Sequence, residues 1–394
     1  MSDRLAISGA ERRARLAVRH RLAASARVDD DPVAIARSVV VLHATDPATV
    51  VLAAVARMRE PDPNVVERAL YDTRELVRML AMRRTLWTVP IDDVAIVQRS
   101  SGDAVAANER KRLVQLVEDK GVAKDGARWL RRVEAKAMAA IEDAGELAAG
   151  DLSKAVPELA VRVPMNEGKA YAAAIGLGPR VLLVLAAEGR VVRGRPTGGW
   201  TSSRHRWVPV DAWLGAPIPR LPVEVARAEL VRRWLDRFGP GTVADLKWWT
   251  GWSLGHTRAA LSSLDVETVD LDGEEGLVLE GDTAPTAPEP FVALLPGLDP
   301  TTMGWKQRGW YLGDHQASIF DRTGNAGPTV WVDGRIVGGW TQRKTGEVVF
   351  RLLEDIGRER ADDVACEADR LEQLLREVRV VVRFPSPLDR ELCS

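Results

Sequence analysis

Cysteine is nearly missing: Cys366 and Cys393 are the two found in 394 residues. Both fall late in the chain without metal-ligand spacing, which excludes a disulfide scaffold and a zinc ribbon. Long hydrophobic runs are missing too. The longest, such as Val181 to Ala187, fall far short of the roughly 20 residues that a spanning helix needs, so no membrane role is expected. The start of the chain lacks the apolar core and cleavage site of a secretory signal. A cytoplasmic protein is the expectation, associated with the nucleoid if it binds DNA. There is no excess of charge of one sign: 55 Lys and Arg face 56 Asp and Glu, for a net charge of -1. Any nucleic-acid binding must therefore come from patterned charge. No phosphate-binding P-loop occurs, and His20, His205, His256 and His315 have no paired His or Cys spacing. Neither metal nor cofactor is expected, and no large apolar seam demands a partner subunit, so the chain reads as a monomer with no obligate protein partner.

What remains is ordinary globular material, 46% hydrophobic and 28% charged, with one skew: 13 Trp against 5 Phe and 3 Tyr. Several Trp stand beside Arg, Lys, Gly or Thr, including Trp129, Trp200, Trp207, Trp305 and Trp310. Such residues can stack on bases or on Arg, though packing in the core or its shell is the stronger reading for each one.

Along the chain, helical periodicity marks Glu11 to Leu22, Pro32 to Leu42, Ala48 to Met58 and Val65 to Met79. Asp31-Pro32 and Asp46-Pro47 are helix starts, each a capping carboxylate followed by Pro at the first helical position. The alternating run Arg83 to Pro90 then reads as a strand. A second series has helices at Ala104 to Val117, Ala127 to Ala144 and Glu167 to Leu177, a short start signal at Asp151, and a hairpin of Val181 to Ala187 with Arg190 to Gly194. The third places helices at Val223 to Phe238, Val243 to Trp249 and Ser253 to Leu264 before a hairpin turning at Asp272-Gly273. After a Pro-rich linker come strands at Phe291 to Leu295, Thr329 to Val332 and Ile336 to Trp340, a helix at Asp363 to Glu377, and a β-like run Val378 to Phe384. The fold class expected is α+β, with three tandem winged helix-turn-helix units at residues 1–100, 101–215 and 216–283, and a β-rich element at 284–394.

Winged units place a helix at the major groove and a wing near the backbone. Arg190, Arg193, Arg195, Arg204 and Arg206 lie with His205 in a stretch without acidic residues, interleaved with Gly194, Gly198, Gly199 and Trp200. That pattern favours phosphate binding over a merely solvated face. Arg83 with Arg84 forms a smaller basic cluster. Gly251-Trp252-Ser253-Leu254-Gly255 has the spacing of a nucleophile elbow, but a helix precedes it, so Ser253 is expected to be a helix cap.

Val41-Leu42-His43-Ala44-Thr45-Asp46-Pro47, Met82-Arg83-Arg84-Thr85-Leu86-Trp87-Thr88-Val89-Pro90, Phe238-Gly239-Pro240-Gly241-Thr242 and Leu294-Leu295-Pro296-Gly297-Leu298-Asp299 together give the chain a wider pattern. In order and spacing it resembles the winged-helix DNA-binding family of AlkZ/YcaQ-like DNA glycosylases, over nearly its whole length. The resemblance implies binding of alkylated or crosslinked double-stranded DNA and release of alkylated purines. It also implies a catalytic pair, Gln-x-Gln or Gln-x-Asp in characterised members, at the positions that read His43-Ala44-Thr45 here. His43 would accept a proton from the attacking water, Thr45 would orient that water, and Asp46 would supply a carboxylate. Against those roles stand a packed histidine, and Thr45 and Asp46 as caps before Pro47. The resemblance also puts Asp299 near the DNA, where the sequence alone suggests a turn before Pro300. Because both motif residues differ from the family's, a non-catalytic DNA-binding or regulatory protein is the alternative.

Overall fold

The computed structural model describes residues 4–165 and 173–393. Its first part runs through helices Gly9–Arg19 and Pro32–Ser38, a short strand Leu42–His43, helices Pro47–Val55 and Pro63–Tyr71, and strands Leu76–Ala81 and Thr85–Pro90. The sheet is antiparallel, with Thr85–Pro90 in the middle, Leu42–His43 on one side and Leu76–Ala81 on the other. Asp31, Asp46 and Asp62 each precede a Pro at the first helical position and accept a backbone N–H of the first turn. Such caps satisfy donors that the helix itself leaves open. Strand Leu76–Ala81 replaces the expected continuation of a helix to Met79. A run of apolar residues buried on both faces carries no usable period.

The same order returns twice. Helix Gly126–Ala144 leads to strand Leu147–Ala148, helices Ala149–Ala155 and Leu177–Ala187, and strands Val191–Pro196 and His205–Pro209, again with the last strand in the middle. A small hairpin, Arg162–Met165 with Ala173–Gly176, is inserted between the two helices. In the third series helix Val223–Phe238 is followed by a bridge from Gly241 to Leu277, helices Val243–Thr250 and Leu254–Leu261, and the hairpin Val266–Leu271 with Glu274–Leu279. Two expectations fail here. Val181 to Ala187 is helical, and the hairpin lies one element later. The expected helix Glu167 to Leu177 falls largely outside the described residues, and its described end, Ala173–Gly176, is a strand.

Strands Val292–Leu295, Thr329–Val332, Arg335–Gln342 and Val348–Leu352 form a four-stranded antiparallel meander. Helix Arg358–Leu375 and helix Pro387–Cys393 pack against it. The turns at Asp272-Gly273 and Asp333-Gly334 have positive φ at both residues, as two-residue hairpins require. Val378 to Phe384 joins no sheet. No helix among the described residues is long and apolar enough to cross a membrane.

The tryptophans explain how the parts are joined. Trp87, Trp249, Phe238 and Trp305 follow one another at ring separations of 5.1 to 6.3 Å across the seam between the first series, the third series and the C-terminal element. Three of the buried rings donate to a carbonyl, Trp87 to Met82, Trp305 to Phe238 and Trp340 to Leu295, and Trp331 donates to the Thr329 hydroxyl, while the N–H groups of Trp213 and Trp234 have no partner. A large ring with one satisfiable donor fills such a seam better than phenylalanine does.

Candidate functional site

Strand Leu42–His43 and the cap of helix Pro47–Val55 hold His43, Thr45 and Asp46 at the end of the first sheet. The chain enters through Val40 at a φ of 64°, an uncommon conformation for a β-branched residue. The His43 ring packs edge-on against Trp87 at 5.0 Å. It is 6% exposed, and burial together with the charge of Arg83 pushes its pKa down to about 3. It is neutral at physiological pH. The Thr45 N–H approaches Nδ1 at 3.4 Å, a weak contact that favours the tautomer with the proton on Nε2. Asp46 accepts the Ala48 N–H at 3.1 Å and the Arg383 N–H at 3.3 Å, and burial raises its pKa above the usual carboxylate range. The cap reading of Asp46 therefore holds, while Thr45 makes no cap bond.

Around this segment lie guanidinium groups that meet no carboxylate within ion-pair distance among the described residues. Arg83 and Arg308 lie over the Trp248 ring, at 4.2 and 4.8 Å from its centroid. Arg383 donates to the Thr45 carbonyl at 3.3 Å. Its charge also reaches Arg193 and, with burial as the larger cause, holds that group at about 10. Arg83 is likewise held at about 10 by burial and by Arg308. The first sheet, the second hairpin and the C-terminal element thus each contribute arginines without a carboxylate partner among the described residues, and Arg83 and Arg383 are the two that reach the His43 to Asp46 segment. Arg308 and Arg383 are missed by sequence reading. Arg308 follows Lys306-Gln307 between two tryptophans, and Arg383 follows an aliphatic run, both of which look like shell positions.

The other basic residues divide. Arg204 is exposed at the second hairpin and has no carboxylate partner among the described residues. Arg84 pairs with Glu109 at 2.7 Å, Arg195 with Asp72 at 2.6 Å and Arg206 with Glu146 at 3.2 Å, so their charges are already balanced. Trp200 is partly buried and packs against the main core and the core under the C-terminal sheet. It is placed as an anchor of the hairpin tip. Asp299 corrects an expectation outright. It is fully buried and holds Arg57 through two bonds of 2.8 and 2.9 Å. Arg57 also donates to Thr301, Ala53 and His20, which uses all five of its N–H groups. Asp299 is a core clamp, and being fully buried it presents no side chain at a surface.

Ser253 caps helix Leu254–Leu261 as expected. No group of three or more His, Cys, Asp or Glu among the described residues is placed to hold a metal ion.

Residues 36–374 match a family model described as DNA glycosylase AlkZ-like. No curated protein matches the sequence. Among solved structures, DNA glycosylase AlkZ of Streptomyces sahachiroi superposes with a TM-score of 0.73 at 20% identity, over 96% of this chain and 100% of that one. At that identity the likeness is one of fold.

Proposed function

The chain belongs to the AlkZ-like DNA glycosylase family, and from that premise we propose that it is a monofunctional enzyme. It hydrolyses the N-glycosidic bond of N7- or N3-alkylated purines in duplex DNA, crosslinked purines included, by attack of water at C1′. The observation that carries this reading is the set of Arg83, Arg193, Arg308 and Arg383, which meets no carboxylate among the described residues and reaches the His43-Ala44-Thr45 segment through Arg83 and Arg383. Phosphates are the natural partners of such groups. The threefold recurrence of helix, strand, helix, helix and hairpin supports winged helix-turn-helix units at 1–100, 101–215 and 216–283, closed by 284–394.

An alkylated purine is a cation and leaves readily, so the site must mainly place water and stabilise an oxocarbenium-like sugar. A histidine held neutral suits that task. His43 and Thr45 orient the water by hydrogen bonding, and Asp46 supplies the negative charge and the better proton acceptor. Proton abstraction by His43 itself is disfavoured, because a group with a pKa of about 3 is a weak base. Alkali treatment of methylated duplex after incubation with the protein reveals abasic sites. Asp46→Asn and Thr45→Ala should each reduce them at least about tenfold, within the range of a lost proton-transfer group. Unchanged yields would remove both residues from the reaction.

The same low basicity of His43 favours a second reading, in which the scaffold binds DNA without cleaving it. Saturable binding with no abasic sites from any alkylated duplex would establish that reading.

A further inference from the structure

On the opposite face of the first sheet lies a cavity of about 480 Å³. Cross-strand pairing sets the faces: Arg78 lies opposite Thr88 and Leu80 opposite Leu86, while His43, Trp87 and Met79 share the alternate row. The cavity is walled by Leu80, Leu86, Leu182 and Val192, and its polar residues are Arg78, Arg193, Ser203, Arg204 and His205.

Those polar groups are unfinished. Arg78 is the one charge in strand Leu76–Ala81 and is only 6% exposed; its guanidinium lies 5.4 Å from the Tyr71 ring centroid, yet its Nε has no partner and among the described residues no carboxylate lies within ion-pair distance. The Nε of Arg193 is also buried and unpartnered. The nearby Glu67 already faces Arg195. Burying two guanidiniums side by side without a counter-ion is costly, and an anion between them removes that cost. His205 is the third such group. Its Nδ1 donates to the Ser203 carbonyl at 2.9 Å, which leaves Nε2 as an acceptor that is buried and unpartnered. A ligand satisfying all three carries an anionic group for the arginines and an N–H or O–H for His205. Its flat apolar body fills a space of the size usual for small-molecule sites.

We propose that this cavity is a binding site for a planar ring bearing one hydrogen-bond donor and one anionic group. A nucleotide unstacked from DNA and a free aryl carboxylic acid both have that chemistry. The cavity lies on the sheet face opposite His43 and shares Arg193 with the set of arginines assigned above to DNA, while Arg78 and His205 belong to it alone.

The test is calorimetric titration of the full chain with indole-3-acetate and with deoxyguanosine monophosphate, using tryptophol as the neutral control. Expected is one site for at least one anion, at least about tenfold tighter than tryptophol, as fits a charge-assisted bond. Arg78→Met and Arg193→Met should each weaken it by about tenfold or more. Leu183→Trp, which fills the cavity, should abolish it while leaving both arginines in place. Arg193→Met keeps the test open if Arg78→Met does not fold. Because duplex DNA competes for the shared Arg193, the occupant is assigned by affinity: tighter binding of deoxyguanosine monophosphate assigns it to a nucleotide, and tighter binding of indole-3-acetate assigns it to a free acid. No saturable binding of either anion, or binding that ignores both Arg193→Met and Leu183→Trp, would overturn the site.

Discussion

His43 shows how burial decides chemistry at the residue scale. In the unfolded chain its pKa is near 6.5 and in the fold about 3, so between these values the unfolded state binds the extra proton. The stability tied to neutral His43 is complete above about pH 6.5 and is lost as the pH falls toward 3, by about 1.4 kcal/mol per unit. His43→Gln should therefore gain about 2 kcal/mol relative to wild type between pH 6.5 and 5, read from urea denaturation at each pH. A constant difference would show that the ring titrates normally in the fold. The activity profile follows the same logic: no limb near pH 6.5 should come from His43. Arg57 and Asp299 make the other residue-scale prediction. Asp299→Asn leaves a buried guanidinium uncompensated, and the expected loss is about 3 to 5 kcal/mol. A loss below about 1 kcal/mol would mean that the pair is hydrated.

At the scale of elements, Asp46 combines a structural duty with a chemical one, and two substitutions separate them. Asn still caps a helix, whereas Ala costs about 1 kcal/mol. Asp46→Asn should keep the melting temperature and lose base release, and Asp46→Ala should lose both. Equal activity of wild type and Asp46→Asn would leave only the cap. The elements that could be read from sequence are those with their own local chemistry: Asp-Pro starts at 31 and 46, Asp-Gly turns at 272 and 333, and Ser253 as a cap. Leu76–Ala81 and Leu177–Ala187 could not be told apart in this way. Each is apolar on nearly every side, and tertiary packing alone makes one a strand and the other a helix. The site divides similarly. Arg83 and Arg193 stood out as basic clusters, but the absence of carboxylates around Arg308 and Arg383 depends on contacts between distant segments. Asp72 and Glu146, which neutralise Arg195 and Arg206, are equally remote in sequence.

For the whole molecule, near-zero net charge coexists with this cationic set because many other surface arginines, such as Arg84, Arg195 and Arg206, are already paired. DNA affinity should fall with salt, and the slope should report the unpaired groups. Arg193→Ala and Arg308→Ala should each lower the log-log salt slope by about 1, while Arg195→Ala should change it by much less, since Asp72 already holds that charge. Equal effects of all three would mean that DNA docks elsewhere.

The account turns on whether this family member breaks the glycosidic bond with His43-Ala44-Thr45 in place of the glutamine-based pair. The direct measurement is release of free 7-methylguanine from methylated duplex, with wild type beside His43→Ala and with DNA affinity measured on both. The account predicts release by wild type, and at least a tenfold loss in His43→Ala at unchanged affinity. Tight, salt-dependent binding by wild type with no free base above the buffer control would contradict it.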